Sequence, residues 1–347
     1  MQYQQHHLRF GVVAVVALCC VLGAMSTPTP ENGTIFSGEL WKDDEGRAVH
    51  AHGAGLVLPG AHPSGKGGKY CMVGTTEKHD PNWLSEGVNV YSSYDLQHWH
   101  FENEIFRNSS ITTPLSDGER YRIERPKILY NRKTSTYVLW FHLDSERFGM
   151  GMVGVATCDA VAGNYSFIAG WQPDGQRSLD MGLFQDNDGT AYLVRSVDNQ
   201  YAGFSQLTDD YLNTTADGII SRGPRMEGQA VWRDEDAYYL LGSHLTGWSA
   251  NPAILATTNA PLRGANWRVL GNPSSSDTTF NSQSTYALPY THPTTNKKLV
   301  IYMGDRWNAG HAPNPYVWLP MRRNETTGAY GMPSLNNGDG AWRIADY

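Results

Sequence analysis

The sequence predicts an all-β protein that folds as a five-bladed β-propeller. A short strand-like segment, usually starting with tyrosine, recurs five times, at Tyr70–Gly74, Tyr137–His142, Tyr192–Arg195, Tyr238–Gly242 and Leu299–Gly304. An apolar segment and a turn precede each copy, and a third strand-like run follows it. Strand units that repeat at an irregular interval of about 45–65 residues are typical of propeller blades. A generic β-sandwich would also explain strands and turns, but not five triplets in the same order.

Turn signals separate the strands within these units. Asn131, Asp188 and Asp234 begin polar turns ahead of three of the copies, as expected for β-hairpin loops. Residues 27–38 form a lead-in rich in Pro, Gly and Thr, and strand signals then continue without a linker. We therefore predict a single propeller domain over residues 39–347.

Residues 1–26 have the pattern of a secretory signal peptide. Arg9 lies in a polar start, Phe10–Met25 is apolar, and the small residues Gly23 and Ala24 suit a cleavage site. A retained signal anchor, which normally needs about 20 apolar residues, is the alternative. We favour cleavage, which predicts a secreted, extracellular protein without a stable membrane partner. A retained segment would instead place the protein in the Golgi.

Sequons and cysteines fit the secretory route. Five Asn-x-Ser/Thr sequons predict a glycoprotein, and they lie at Asn32, Asn108, Asn164, Asn213 and Asn324. Two of the four cysteines lie within the predicted signal peptide, so Cys71 and Cys158 remain in the mature chain. A disulfide between them and two buried free thiols both stay open, because spacing alone does not supply bond geometry.

Length and charge narrow the class of function. The chain has 347 residues, 18% of them charged, and its formal net charge is −7. This length is enough for a large core. A negative chain without a cluster of Lys and Arg excludes a nucleic-acid-binding surface, so no nucleic-acid partner is expected. We expect a monomer.

Polar residues stand near the start of the predicted inner strands. Four of them occupy equivalent positions in successive units: Glu124, Asp180, Glu227 and Gln283. The first unit instead offers Ala51–Gly53, which contains a histidine and no carboxylate. A propeller gathers the starts of its innermost strands around one axial pocket, so these residues are expected to converge. Three carboxylates, an amide and a histidine-containing turn predict a site that cleaves glycosidic bonds.

Glycosidic bond cleavage needs a proton donor for the leaving oxygen and either a nucleophile or a base-activated water. Glycine and apolar residues flank Glu227 and can shield it, so we interpret it as the acid, with Asp180 one blade away to raise its pKa. Glu124 precedes Arg125, whose guanidinium can clamp a sugar hydroxyl. A lone acidic residue at a strand end is usually a solvated cap or salt-bridge partner, but matched positions in successive blades favour function.

No metal or other cofactor is predicted. His50 and His52 resemble a metal-binding pair, with His79 and His311 as further donors, but no zinc-site spacing is present. We interpret these histidines as polar packing residues. Three tryptophans follow strand runs, where an indole either stacks on a sugar ring or fills the core; they are Trp83, Trp248 and Trp307.

Several segments carry a resemblance to a known family. The ERPK run at residues 124–127 and the SLDMGLF run at residues 178–184 are the most specific, and HAHGAGLVL, EGQAVW and NSQST accompany them. Over about residues 38–345 the chain resembles glycoside hydrolase family 43, and within it the exo-β-1,3-galactanases. The resemblance implies a five-bladed propeller and hydrolysis with inversion of the anomeric configuration.

The resemblance also implies roles for the four matched residues. Most of family 43 carries an aspartate base at the start of the first blade, where this chain has Ala51–Gly53; the galactanase-like subfamily lacks it too. By motif, Glu227 resembles the general acid and Asp180 the carboxylate that modulates its pKa. Glu124 resembles a carboxylate at the substrate subsite, and Gln283 the residue that faces the hydrolytic water.

The catalytic base is the least determined of these roles. A glutamine amide is almost non-basic, so ordinary proton abstraction by Gln283 is implausible. Our hypothesis is that Gln283 positions the water through an imidic-acid tautomer, with Glu124 as the competing base. The resemblance places further sugar contacts in loops at the blade ends, and Phe148 stands where tyrosine is usual; the residues are Glu77, Phe148, Thr246, Asp305 and Trp307.

The sequence therefore predicts a secreted inverting exo-glycosidase that releases galactose from the β-1,3-galactan main chains of arabinogalactan-proteins. Its expected partner is a polysaccharide or proteoglycan glycan. Another family 43 activity, α-L-arabinofuranosidase or β-xylosidase, is disfavoured by the missing first-blade aspartate. A non-catalytic glycan-binding propeller is disfavoured because binding alone does not need Glu124, Asp180 and Glu227 together.

Overall fold

Five antiparallel sheets of four strands each form the core of the described chain. The computed structural model describes residues 33–61, 68–76, 84–116, 118–292, 295–307, 313–334 and 336–347. Each sheet is one blade, and its strands follow one another in chain order. The predicted five-bladed β-propeller is confirmed.

Strand β1 (Thr34–Ser37) precedes the blades, which take the following bounds. Blade 1 contains β2 (His52–Val57), β3 (Tyr70–Thr75), β4 (Gly87–Ser93) and β5 (His100–Arg107). Blade 2 contains β6 (Tyr121–Asn131), β7 (Thr136–Ser145), β8 (Met152–Cys158) and β9 (Ser166–Trp171). Blade 3 contains β10 (Ser178–Gln185), β11 (Ala191–Val197), β12 (Tyr201–Leu207) and β13 (Thr214–Arg222).

The last two blades complete the ring. Blade 4 contains β14 (Glu227–Asp234), β15 (Ala237–Ser243), β16 (Ala253–Thr258) and β17 (Arg268–Gly271). Blade 5 contains β18 (Gln283–Thr291), β19 (Lys298–Asp305), β20 (Tyr316–Arg323) and β21 (Tyr330–Gly331), and β22 (Gly340–Arg343) follows it. Short 3-10 turns lie at Asn108–Ser110, Pro173–Gly175, Asn336–Gly338 and Ile344–Asp346.

The first strand of each blade lies at the axis. Strand β6 contacts β2 and β10, β14 contacts β10 and β18, and β18 contacts β2, so the first strands form a closed ring. The recurrent segments seen in the sequence are the second strands, β3, β7, β11, β15 and β19. The sequence did not predict the fourth strands, because these outer strands include short and largely exposed ones such as β17.

Apolar contacts between neighbouring blades hold the ring together. Val73 and Val90 of blade 1 pack in one cluster with Leu139 and Phe141 of blade 2, all fully buried. Because the strands are covered on both faces by adjacent blades, they read as nearly continuous apolar runs. Burial of each such side chain contributes about 1.5–3 kcal/mol.

A pair of terminal strands closes the propeller between its first and last blades. Strand β1 pairs antiparallel with β22, with Thr34 opposite Arg343 and Ser37 opposite Gly340. The indole of Trp342 donates to the carbonyl oxygen of Trp318 at 2.8 Å. This clasp covers an apolar cluster shared by residues from both ends of the domain.

A β-bulge recurs in the first strand of every blade. The pairing with the second strand skips residues at the same place each time, between His52 and Gly55, Glu124 and Lys127, Ser178 and Met181, Glu227 and Ala230, and Ser284 and Tyr286. A bulge bends the strand and redirects side chains. The predicted catalytic residues lie in or directly beside these bulges.

In three of the bulges, the residue directly after His52, Glu124 or Glu227 has a backbone conformation in the left-handed region. Gly53 and Gly228 have φ of 63°, and Arg125 has φ of 53°. A Cβ on Gly228 would lie 2.8 Å from the carbonyl oxygen of Ser284, so this position requires glycine. Arg125 adopts the same conformation at a cost of about 1–2 kcal/mol, which its buried guanidinium contacts offset.

The thiols and most sequons fall within the described residues. Cys71 and Cys158 are free, and burial raises the pKa of Cys71 to about 11. The asparagines at 164, 213 and 324 are exposed and that at 108 is half-buried, whereas Asn32 and the predicted signal peptide lie outside the described residues. None of the helices in the described part of the chain has the length and apolar character needed to cross a membrane.

Candidate active site

A cavity of about 480 Å³ opens at the axial end of the propeller, beside the bulges. All five blades contribute to its lining, through Gly53, Glu124, Asp180, Glu227 and Gln283 respectively. The four residues predicted to be catalytic therefore share one cavity. Gly53 contributes without a carboxylate, as the sequence of the first blade predicts.

Glu227 has the character of an acid that keeps its proton near neutral pH. Burial and, next, the negative charge of Asp180 raise the pKa of Glu227 to about 8, against the opposing charge of Arg125. Its Oε1 accepts a hydrogen bond from the Gln283 amide nitrogen at 3.0 Å. A carboxyl group protonated at pH 7 beside a substrate cavity can donate a proton to a leaving group.

Asp180 is held beside Glu227 by two donors. Its Oδ2 accepts the backbone N–H of Gly228 at 2.9 Å and lies 2.9 Å from a guanidinium nitrogen of Arg125. The Gly228 contact links Asp180 to the residue that directly follows Glu227. Asp180 is thereby placed to act on Glu227 through its charge.

Arg125 joins three of the blades beneath the cavity. Its guanidinium, in a side chain that is only 5% exposed, contacts Asp180 of blade 3 and donates to the Ser284 carbonyl oxygen of blade 5 at 2.8 Å. It also donates to Gln283 Oε1 at 2.5 Å. Arg125 therefore fixes other site residues; it also lines the cavity, and its predicted contact with a sugar hydroxyl stays a prediction.

Every donor and acceptor site of the Gln283 side-chain amide makes a hydrogen bond. Its oxygen accepts from Arg125 and, at 2.9 Å, from the Trp307 indole nitrogen. Its nitrogen donates to Glu227 Oε1 and to Ser243 Oγ, each at 3.0 Å. An amide offers two acceptor lone pairs and two N–H donors, and all four are engaged.

Glu124 is ionised, in contrast to Glu227. Burial alone would raise the pKa of Glu124, but hydrogen bonds and positive charge from His142 and Arg122 lower it. Arg122 Nη1 lies 3.0 Å from one carboxylate oxygen, and His142 Nδ1 lies 3.0 Å from the other. This group can accept a proton from a water molecule or hydrogen bonds from sugar hydroxyls.

His142 continues this charge chain to a second, fully buried carboxylate. Its Nε2 lies 3.1 Å from Asp144 Oδ2. Burial opposes protonation, but the hydrogen bonds and charges of Asp144 and Glu124 raise the pKa of His142 to about 9. Asp144 also accepts backbone N–H groups from Ser145, Met150 and Gly151. Sequence reasoning missed both residues, although their i, i+2 spacing in β7 places them on one face.

Aromatic side chains form parts of the cavity wall. Phe148 is 39% exposed and has φ of 56°. The guanidinium carbon of Arg122 lies 4.2 Å from the centroid of its ring, which also stacks on His142. Trp248, 44% exposed, meets Trp307 edge to face at a centroid distance of 5.6 Å. Both tryptophans are thus placed in the cavity wall rather than in the core of a blade, while Trp83 lies outside the described residues.

Comparison with known proteins identifies the family. The sequence model of glycosyl hydrolases family 43 matches residues 64–326. The chain belongs to glycoside hydrolase family 43. It is therefore a glycoside hydrolase, and the resemblance noted in the sequence is confirmed. No curated protein matches the chain.

Solved structures of this family superimpose on most of the propeller. A family 43 β-1,3-galactosidase in complex with galactodeoxynojirimycin is 30% identical, with a TM-score of 0.74 over 86% of this chain and 98% of that one. An exo-β-1,3-galactanase from Phanerochaete chrysosporium, solved with β-1,3-galactotriose, is 29% identical at a TM-score of 0.74, over 90% and 71% of the two chains. An exo-β-1,3-galactanase from Clostridium thermocellum is 28% identical at the same TM-score, over 87% and 65%.

Two predicted sugar contacts of this family 43 protein do not line the cavity. Asp305 is 1% exposed, and its Oδ2 accepts the Gly53 N–H at 2.6 Å beneath the first-blade bulge. Thr246 donates to the Ser249 carbonyl oxygen at 2.6 Å and so shapes the loop that carries Trp248. Their polar groups are engaged within the protein, and their contact with a sugar stays a prediction. Glu77 lies outside the described residues.

One group of side chains in the described chain has the proximity of metal ligands. Atoms of Glu124, His142 and Asp180 lie within 4.8 Å of one another. Both ring nitrogens of His142 face carboxylates, Glu124 at 3.0 Å and Asp144 at 3.1 Å. His52 is fully buried, and its Nε2 lies 3.1 Å from the Asn314 carbonyl oxygen, as expected for polar packing.

Proposed function

We propose that this protein is an inverting exo-glycosidase that releases galactose from the β-1,3-galactan main chains of arabinogalactan-proteins. The observation that carries the proposal is the pair of carboxyl groups in one cavity with opposite pKa shifts, Glu227 raised and Glu124 lowered. Acid and base chemistry at neutral pH needs this division of roles. The β-1,3-galactanase structures similar to this chain support the choice of substrate.

The reaction begins with protonation of the leaving group. Glu227 gives its proton to the glycosidic oxygen while the bond to the anomeric carbon breaks and the remaining galactan leaves as an alcohol. Asp180 keeps Glu227 protonated before this step. Water adds to the opposite face of the sugar, and its proton passes to the ionised Glu124 carboxylate and then to solvent. One displacement by water inverts the anomeric configuration.

The shape of the cavity supports the exo mode. Its volume of about 480 Å³ lies within the range of about 300–1,000 Å³ for sites that hold small molecules. Phe148 on one side and Trp248 with Trp307 on another offer apolar faces for sugar rings. A chain end fits such a cavity better than the middle of a polysaccharide.

Alternative activities have less support. At the start of the first blade the cavity is lined by Gly53, so the carboxylate expected there of α-L-arabinofuranosidases or β-xylosidases of this family has no counterpart at this position. A non-catalytic glycan-binding propeller would gain nothing from a buried carboxyl group whose pKa is raised to about 8. Hydrolysis of β-1,3-galactan therefore remains our proposal for this site.

We further propose that the protein is secreted as a glycosylated monomer. The pattern of residues 1–26 supports secretion, and the exposed sequon asparagines at 164, 213 and 324 are accessible to glycosylation. Mass spectrometry of the mature protein before and after enzymatic deglycosylation tests these features, and size-exclusion chromatography with light scattering tests the monomer. An intact N-terminus would favour the retained anchor.

Product analysis on linear β-1,3-galactan tests the function. We expect the wild-type protein to release galactose, initially as the α-anomer in NMR spectra, and Glu227→Gln to release it about 10²–10⁴-fold more slowly. Release of the β-anomer would overturn inversion. Release of arabinose or xylose from other glycans, with galactan left intact, would overturn the substrate.

A further inference from the structure

We propose that Gln283 is a positioning residue for the acid Glu227, and that its amide neither accepts nor relays a proton. In this role, which rests on the proposed function of the site, Gln283 fixes which oxygen of Glu227 carries the proton. It also connects Glu227 to the positive charge of Arg125. The inference replaces the imidic-acid hypothesis drawn from the sequence.

The orientation of the amide is set by its surroundings. On the oxygen side lie a guanidinium N–H of Arg125 at 2.5 Å and the indole N–H of Trp307 at 2.9 Å, which are groups that can only donate. The nitrogen faces Glu227 Oε1 and Ser243 Oγ. A flipped amide would point its N–H groups at two donors, so the network allows one orientation.

The same contacts oppose the imidic-acid tautomer. That tautomer carries a proton on Oε1, where it would face the donors of Arg125 and Trp307. The added proton would displace at least one of these donors in a partly buried site, where a lost hydrogen bond is costly. Gln283 is therefore held as an ordinary amide, which has almost no basicity.

The contact with Glu227 assigns the oxygen that donates. Gln283 donates to Oε1, which marks Oε1 as the carbonyl oxygen and leaves the proton on Oε2. When Oε2 gives this proton to the glycosidic oxygen, Glu227 becomes a carboxylate and its hydrogen bond from Gln283 strengthens. Because Arg125 polarises the amide from the other end, the amide transmits part of its positive charge to the new anion.

The first experiment measures Glu227 itself. The carboxyl carbon of Glu227 is followed by 13C NMR from pH 4 to pH 10 in full-length protein, with Glu227→Gln to assign the signal. In Gln283→Leu we expect the pKa of Glu227 to rise by about 1, because the donor that favours its charged form is gone. Ser243→Ala removes the other partner of the same nitrogen, and we expect a smaller change. An unchanged or lower pKa in Gln283→Leu would overturn the proposal.

The second experiment asks whether Gln283 had supplied a base. Azide can attack the anomeric carbon without losing a proton, so it replaces water where a base is missing. We expect Gln283→Leu to lose about 10²-fold in kcat on β-1,3-galactan, with no restoration by azide. We also expect Gln283→Glu to lose activity, because its carboxylate would face Glu227. Azide rescue with formation of a galactosyl azide, or a Gln283→Glu variant as active as wild type, would overturn the proposal.

The two proposals fail separately. If the wild-type protein releases no galactose, the proposed function is wrong, while the NMR titration of Glu227 still decides the role of Gln283. If Gln283→Leu does not fold, Gln283→Met keeps the length of the side chain without its hydrogen bonds and undergoes the same titration.

Discussion

Glu227 and Glu124 differ in the partners that surround two otherwise similar carboxyl groups. Both lie in first strands, directly before a residue in the left-handed region, and both line the axial cavity. Burial raises the pKa of either group. Glu227 has the Asp180 anion as its strongest charged neighbour, whereas Glu124 has Arg122 and the His142 imidazolium.

Burial acts in the same direction on both carboxyl groups, so the charges of their neighbours determine which one has the raised pKa of an acid and which one the lowered pKa of a base. At Glu227 the nearest hydrogen-bond donor is a neutral amide, which offsets only part of the raised pKa. At Glu124 two cationic donors, one on each oxygen, reverse the effect of burial. Changing the charge of a single neighbour should therefore move one carboxyl group toward the behaviour of the other.

The largest effect is expected from removing the proton donor. Glu227→Gln should lower kcat/KM on β-1,3-galactan by about 10²–10⁴-fold, because the leaving oxygen then departs unprotonated. A substrate with a good leaving group, such as a dinitrophenyl β-galactoside, should be affected less. Initial rates on both substrates measure the contrast, with the exposed Glu325→Gln as control. Equal losses on both substrates would contradict the role of Glu227 as acid.

The next effect concerns the cation that holds Glu124 ionised. His142→Gln keeps a donor near Glu124 but removes the positive charge, so the pKa of Glu124 should rise and the acidic limb of the kcat/KM profile should move to higher pH. Activity at pH 6 should fall by about tenfold or more. A profile measured from pH 3 to pH 10 checks the shift. An acidic limb that does not move would show that Glu124 is not the group titrating there.

The raised pKa of His142 also predicts how the stability of the protein depends on pH. The pKa of His142 is raised to about 9 in the folded protein, above its unfolded value of about 6.5. Its contribution to stability is thus complete below pH 6.5 and is lost as the pH rises through about 9. Urea unfolding of His142→Gln should show less decline in the free energy of unfolding across this window than wild type.

A smaller effect is expected on the other side of the cavity. Asp180→Asn removes the anion that raises the pKa of Glu227, so the basic limb of the pH profile should move to lower pH. Activity at pH 8 should fall by about tenfold, while less is lost at pH 6. The same pH series measures this change. Movement of the basic limb to higher pH would contradict the electrostatic role assigned to Asp180.

The smallest effect is expected from Asp305, a buried carboxyl group at which burial outweighs the neighbouring cations. Burial raises the pKa of Asp305 to about 7, despite the Gly53 N–H and the nearby charges of Arg125 and Lys127. A raised carboxyl pKa makes stability fall as the pH rises from about 4 through about 7. Asp305→Asn should flatten this decline in the free energy of unfolding, whereas the exposed Asp209→Asn should not.

The blades and the residues at the bulges could be predicted from the sequence, because each leaves a regular local pattern. Second strands are apolar on both faces and bounded by polar turns, so they stand out from the chain. Glu124, Asp180, Glu227 and Gln283 recur at one position per unit, which a closed ring brings together. Outer strands such as β17 give no such pattern, because an exposed position accepts many residue types.

Contacts between neighbouring strands and between blades account for what the sequence did not predict. His142 and Asp144 act through a carboxylate on the neighbouring strand, and Arg125 acts across three blades. Asp305 lies opposite Gln283 in the strand ladder, but its carboxyl group meets the Gly53 backbone of another blade. The contacts of Arg125 and Asp305 across blades depend on how the ring closes, and no local pattern specifies them.

The recurrent bulge separates the chemistry of the site from the architecture that carries it. Regular pairing continues beyond each bulge, so the blade depends on its flanking residues more than on the redirected side chain. At its bulge the first blade presents Gly53 to the cavity, without a side chain, yet it keeps its four strands. Such a ring can acquire a new specificity one blade at a time, by exchange of single residues at five points, while the inherited scaffold stays intact.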